Sequence, residues 1–208
     1  MLGKKRKDIN PLLTKIAKII AFIPITPNQF TFLAIPVAGV AAYFLAAENY
    51  LYGAIFVIFS IVIDLLDGSF AEAKKQKSFF GNYFDAIVDK IVEAIIYFGL
   101  AFNYPLLAFL CFSTTMLNSY AKPRVALVIE TDNHDWPAIG DRADRLLLLI
   151  IGLLIANFIV IKTIDIVQIT LGIIIIITLI GFIQRILYAR KLINKAIRED
   201  KILPYLKK

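Results

Sequence analysis

Long apolar runs, broken at short intervals by polar stretches, are the dominant pattern along this chain of 208 residues. The runs cover roughly 28–47, 51–72, 81–101, 104–121, 144–161 and 164–187. Each is close to the ~20 residues that an α-helix needs to cross the hydrocarbon core of a bilayer. They predict an all-α, polytopic membrane protein with six transmembrane helices. Ahead of them, Asn10-Pro11 is a helix-start pair, a cap followed by proline at the first helical position. From there Leu12, Leu13, Ile16, Ile19, Ile20 and Ile23 gather on one face, with Lys15 and Lys18 off it. That pattern predicts an amphipathic helix lying in the cytoplasmic interface, closed by Pro24. Thr26-Pro27 opens the first span by the same cap logic, and Pro36 is placed to kink it. Pro123, Pro137 and Pro204 mark interruptions further on. The chain then divides into a cytoplasmic N-terminus with the amphipathic helix (1–27), a six-helix transmembrane domain (28–190) and a basic cytoplasmic tail (191–208).

Composition agrees with this division. Hydrophobic residues make up 59% of the chain, where a soluble domain of this length is normally less than half apolar. The net charge of +7 is distributed by compartment. Lys4, Lys5, Arg6, Lys7, Lys15, Lys18, Lys74, Lys75, Lys77, Lys122, Arg124, Arg142 and Arg145 fall on one side, with the basic tail from Arg185 onward. The opposite connections at Glu48–Tyr50, Asn103–Pro105 and Asn157–Thr163 carry Lys162 alone. This asymmetry puts both termini in the cytoplasm of a multi-pass cell-membrane protein. The surplus is a signal for topology and membrane lipids, and no nucleic acid partner is needed to explain it. Met1–Asp8 is basic with no apolar core behind it, so it does not read as a cleaved signal peptide. Cys111 is the only cysteine, which excludes an intramolecular disulfide, and its apolar neighbours mark it as core filling. His134 stands among acids in a long polar connection, as a solvated loop residue, and Trp136 reads as an interfacial anchor.

Four aspartates interrupt the apolar runs. Asp64 and Asp67 are three apart near the end of the second run, and Asp85 and Asp89 are four apart near the start of the third. Each pair therefore shares a helical face. A carboxylate at membrane depth costs roughly 2.5–3.5 kcal/mol, so four of them call for cations or shared protons. The short link through Lys74-Lys75-Gln76-Lys77 predicts an antiparallel hairpin that brings all four to one depth. Hard divalent ions bind carboxylate oxygens, and two ions ~3.5–4 Å apart suit phosphoryl chemistry. Gly68, Ala71 and Gly81 beside them either allow close helix packing or clear room for a ligand. An ion or proton transporter is the different-class alternative, although transporters usually carry such groups near the midplane on broken helices.

Asp64-x-x-Asp67-Gly68-x-x-Ala71, followed after Glu72 and eight further residues by Gly81-x-x-x-Asp85-x-x-x-Asp89, resembles the signature of the CDP-alcohol phosphotransferases (CDP-alcohol phosphatidyltransferases). Thr26-Pro27-Asn28-x-x-Thr31 extends the likeness. The resemblance implies a homodimeric transferase with its catalytic site in the transmembrane domain, facing the cytoplasm. It implies that Asp64, Asp67 and Asp85 hold two divalent ions, Mg2+ or Mn2+, with Asp89 contributing to the metal site and acting as the catalytic base. It places CDP against Asn28, Thr31, Asp64, Asp67, Gly68, Ala71, Gly81 and Asp85. The donor would be a CDP-linked lipid, CDP-archaeol or CDP-diacylglycerol, with CMP released. Glu72 departs from the arginine usual in the family, and Lys74, Lys75 or Lys77 would then supply the positive charge.

Arg142 and Arg145 are three apart on one face, opposite Lys122 and Arg124 at the end of the fourth run. They read either as positive-inside anchors or as a phosphate clamp, since arginine forks match phosphate oxygens. The segments Ser119-Tyr120-Ala121-Lys122-Pro123-Arg124 and Asp141-Arg142-Ala143-Asp144-Arg145 also resemble those of phosphatidylinositol-phosphate and archaetidylinositol-phosphate synthases. That likeness implies inositol 1-phosphate as the acceptor, with glycerol 3-phosphate or another small alcohol as the alternative.

Overall fold

The structure, a computed structural model, describes residues 2–130, 136–137, 139–159, 165–199 and 201–203, with side chains from residue 11 onward. Among the described residues the regular structure is helical: α1 (Leu2–Ile20), α2 (Pro27–Phe32), α3 (Ala34–Ala46), α4 (Tyr50–Ala73), α5 (Phe79–Ala101), α6 (Pro105–Val125), α7 (Arg142–Phe158) and α8 (Ile166–Arg198). One isolated antiparallel bridge joins Ile129 to Ile202. His134, Lys162, Pro204 and the side chains of Lys4–Lys7 lie outside the described residues.

Local chemistry explains several boundaries. Thr26 caps α2 with a full capping box: its hydroxyl accepts from the Gln29 amide, and the Gln29 side chain accepts from the Thr26 amide at 2.8 Å. Pro36 lacks an amide proton, and the first apolar run breaks at Leu33, just ahead of it, into α2 and α3. Two expectations fail here. α1 begins at Leu2 and continues through Pro11, which sits inside the helix and forfeits one backbone hydrogen bond. α6 likewise runs past Pro123 to Val125. α8 continues unbroken from Ile166 to Arg198 and so carries the first residues of the basic tail.

Helix packing differs from the expected hairpin. α3 lies between α4 and α5 and packs on both, while α4 and α5 touch each other sparsely. The reason is α3's small-residue face: Ala34, Ala38, Ala41 and Ala42 are buried at helical spacing, and Gly99 of α5 meets the Ala42 backbone so closely that a methyl group would clash. Small residues let helix backbones approach. α4 then packs on α7, α7 on α8, α8 on α6 and α6 on α5, closing a ring with α3, and α1 lies against α4 and α7. α1 buries Leu13 and Ala17 but leaves Leu12 and Ile19 exposed.

Tyr50, Tyr104 and Asp165 form a hydrogen-bonded chain at one end of the ring, with Tyr104 donating to Asp165 at 2.7 Å. The aspartates occupy the other end. Much of the outer surface is apolar, including Phe59, Phe98, Phe102, Leu106, Phe109 and Ile176, as expected where lipid is the solvent. Among the described residues three segments are long and apolar enough to cross a membrane: Pro27–Ala46, Tyr50–Ala73 and Ile166–Arg198. The shortfall elsewhere has local causes. α5 carries Asp85, Asp89, Lys90 and Glu93, α6 carries Ser113, Thr114, Thr115, Asn118 and Ser119, and α7 has 17 residues.

Candidate active site

Helical spacing puts Asp64 and Asp67 on one face of α4, and Ser78, capping α5 through the Gly81 amide at 2.9 Å, fixes the start of the helix that carries Asp85 and Asp89. The link between them is tight. Lys75 takes a left-handed conformation at φ 55°, the Gln76 amide returns to the Ala71 carbonyl, and Lys74 donates to the Ile23 and Ile25 carbonyls at 2.6 and 2.7 Å. Lys74 is thereby committed to anchoring the segment before α2. Lys77 instead pairs with Glu72 at 2.7 Å and lines the adjoining pocket, so the residue that departs from the signature arrives with its own counter-charge.

Asp64, Asp67 and Asp85 each offer an oxygen within 4.8 Å of the others. Metal–oxygen distances of about 2.0–2.6 Å set oxygens across an ion about 4–5 Å apart, so the three carboxylates suit one hard divalent cation with little adjustment. Thr31 of α2 orients the most buried of them, donating to Asp67 Oδ2 at 3.0 Å. Asp89 lies beside Asp64 at the edge of this trio. Arg142, at the start of α7, reaches Asp64 at 2.8 Å and also pairs with Asp89, bridging the two. Its Nε and Nη2 are buried with no hydrogen-bond partner among the described residues.

A pocket of about 200 Å3 opens beside the trio, lined by Asn28 and Thr31 of α2, by Asp67, Gly68 and Ala71 of α4, and by Gly81 and Asp85 of α5, among others. A methyl group added at Gly68 would meet nothing within 4 Å. Close helix packing therefore does not explain this glycine; it keeps the wall of the pocket open.

The four basic residues expected to form one clamp lie in four settings. Arg142 faces the carboxylates. Arg145 is 1% exposed and donates to Glu93 Oε1 through Nε at 3.1 Å and Nη2 at 2.6 Å, and to the Gly140 carbonyl. A fully buried Glu93 requires a countercharge, and this withdraws Arg145 from any open surface. Lys122 is half-buried, and Arg124 faces a separate groove between α6 and α8. Glu93 was legible, since Asp85, Asp89 and Glu93 follow one helical face at four-residue steps. Arg185 was not singled out either. It is buried and donates to the Asn118 carbonyl at 2.6 Å, to the Pro137 carbonyl at 3.2 Å and to Asp141. Its signal was a lone cation closing the apolar run of α8.

Residues 24–180 match the CDP-alcohol phosphatidyltransferase family. An archaetidylinositol phosphate synthase from Pyrococcus horikoshii is 29% identical over 196 residues, covering 92% of this chain and 97% of that protein. A Mycobacterium tuberculosis phosphatidylinositol phosphate synthase solved with CDP-DAG bound superposes with a TM-score of 0.73 at 22% identity, covering 86% of this chain and 94% of that one. The same enzyme in complex with manganese and citrate also gives 0.73 at 22% identity, over 85% and 88%. These likenesses set the molecule among transferases and phospholipid-synthesising membrane enzymes, and the transporter alternative falls away. With its signature aspartates gathered at one end of an all-helical ring, the chain belongs to the CDP-alcohol phosphatidyltransferase family.

Proposed function

We propose that this protein transfers the phosphatidyl-type group of a CDP-linked lipid to inositol 1-phosphate and releases CMP. The observation that carries the reading is the trio Asp64, Asp67 and Asp85, with oxygens within 4.8 Å, two of which, Asp67 and Asp85, line a pocket that Gly68 keeps open. The donor class is supported by the CDP-DAG complex of the tuberculosis enzyme, and the acceptor by the inositol phosphate synthases among the relatives.

In this reading Asp64, Asp67 and Asp85 hold two divalent ions together with Asp89. Bound Mg2+ or Mn2+ would offset negative charge on the donor pyrophosphate and on departing CMP. Thr31 holds Asp67 in register, and Asn28, Ala71 and Gly81 line the cytidine side of the pocket. Asp89 takes the proton of the acceptor hydroxyl as its oxygen attacks the lipid-linked phosphorus. Arg142 has buried donors without partners among the described residues, and these suit the acceptor phosphate, with Lys122 as a second cation. The six helices of the ring span the cell membrane, α1 lies in the cytoplasmic interface and the aspartates face the cytoplasm. Asp64→Asn should abolish Mg2+- or Mn2+-dependent CMP release while leaving thermal unfolding in detergent intact. Wild-type turnover in that variant would remove the metal assignment. Labelled inositol phosphate competed against glycerol 3-phosphate, with CMP release as readout, decides the acceptor.

A further inference from the structure

At ~1.5 Å per residue, the 33 residues of α8 extend ~50 Å, well beyond a hydrocarbon core ~30 Å thick. Its sequence changes character accordingly. Ile166–Gln184 carries no charge, and Arg185, Arg190, Lys191, Lys195 and Arg198 follow. Where the change occurs, α8 and α6 enclose a groove of about 430 Å3, within the ~300–1,000 Å3 typical of small-ligand sites. Its apolar floor includes Phe182, Ile186, Ala189 and Ile193, and Arg124 and Arg190 stand on its walls. Both arginines are exposed and neither pairs with an acidic side chain among the described residues. A second, more basic hollow continues along α8 and shares Arg190 and Asn194 with the first. None of the signature aspartates lines either one, so the groove is separate from the proposed donor pocket.

An apolar trough bearing guanidinium groups with no acidic partner among the described residues, where the apolar run of α8 gives way to charge, complements one kind of molecule. Basic pockets between membrane helices bind anionic headgroups, and guanidinium forks match phosphate oxygens. We propose that the α6–α8 groove binds an anionic membrane lipid. Its headgroup phosphate lies between Arg124 and Arg190, and its chain lies along Ala189, Ile186 and Phe182.

The chain's single tryptophan supplies the readout. Trp136 lies 5.3 Å from the Tyr188 ring of α8 and packs in one cluster with Ala189, Leu192 and Ile193. The full chain in phosphatidylcholine nanodiscs is titrated with brominated-chain phosphatidylglycerol or with brominated-chain phosphatidylcholine. The anionic lipid should quench Trp136 at a several-fold lower mole fraction than the neutral one. Arg190→Gln should raise that threshold about fivefold, and Arg124→Gln/Arg190→Gln should bring it to the neutral lipid's. Lys15→Gln/Lys18→Gln, which removes two exposed cations from α1, should leave it unchanged. Equal thresholds for the two lipids, quenching by neither, or an equal loss in the α1 control would each overturn the proposal.

Discussion

Gly68 and Gly99 are the same residue type used for opposite ends. At Gly99 a methyl group would run into the Ala42 backbone, whereas at Gly68 it would meet open space. Gly68→Leu should therefore fold normally, even gaining about 0.5–1 kcal/mol of helix preference from the loss of a mid-helix glycine. Its KM for the CDP-linked lipid should rise at least several-fold with little change in thermal unfolding; an unchanged KM would mean that the pocket beside it does not hold the donor. Arg142 supports a second expectation. It occupies the space between Asp64 and Asp89 as a built-in cation, so it competes with any ion those carboxylates bind. Arg142→Ala should tighten Mn2+ binding in the absence of substrates, measured by calorimetric titration, while weakening use of the acceptor. Looser Mn2+ binding in the variant would show that Arg142 supports the ion site rather than opposing it.

At the scale of elements, periodicity made the aspartate pairs legible but not their neighbours. A spacing of three or four residues says which side chains share a face, and nothing about which helix that face meets. The expected α4–α5 hairpin was inferred from a short link, yet the alanine face of α3 fits between the two helices, and they converge only at the end that bears the carboxylates. Arg145 shows the same limit: its three-residue spacing from Arg142 was visible, whereas the buried Glu93 that pairs with it belongs to another helix. α7 packs on α4 and α8 and reaches α5 through two ion pairs, Arg142 with Asp89 and Arg145 with Glu93. The second pair fixes the start of α7 and with it the aim of Arg142. Breaking a buried pair on one side costs about 3–5 kcal/mol, whereas replacing both partners by apolar groups can be nearly neutral. Arg145→Met alone should therefore destabilise strongly, and Glu93→Leu/Arg145→Met should recover most of the loss in chemical unfolding. Lys90, 3.1 Å from Glu93, would be left over in the double variant and sets a limit to that recovery. Additive losses from the two single changes would show that the pair does not act as a unit.

For the whole molecule, the faces that the ring's helices offer to lipid decide which of them cross the membrane. Length and composition alone qualify three segments, and the polar residues that disqualify α5 and α6 are largely turned inward. Glu93, Thr115 and Asn118 are fully buried, while Phe98, Phe102, Leu106 and Phe109 face outward. Hydropathy summed along a helix therefore understates the apolarity of the face it offers to lipid. The ring also constrains parity. Consecutive helices from α3 to α8 are joined so that the Glu48 turn and the Tyr104 end lie together, opposite the aspartates and the end of α8, as the Asn103 side chain binding the Leu45 and Ala46 carbonyls attests. If all six cross, Lys75 and Arg198 share one side and Glu48 lies on the other. Cys111 is fully buried, and Cys111→Ala provides a background for single cysteines at the exposed turns. In sealed inside-out vesicles, Lys75→Cys and Arg198→Cys should react with a membrane-impermeant maleimide, and Glu48→Cys should react only after the vesicles are opened. Labelling of Lys75→Cys and Glu48→Cys from the same face would rule out α4 and its neighbours as spans and would require the ring to lie on the bilayer rather than through it.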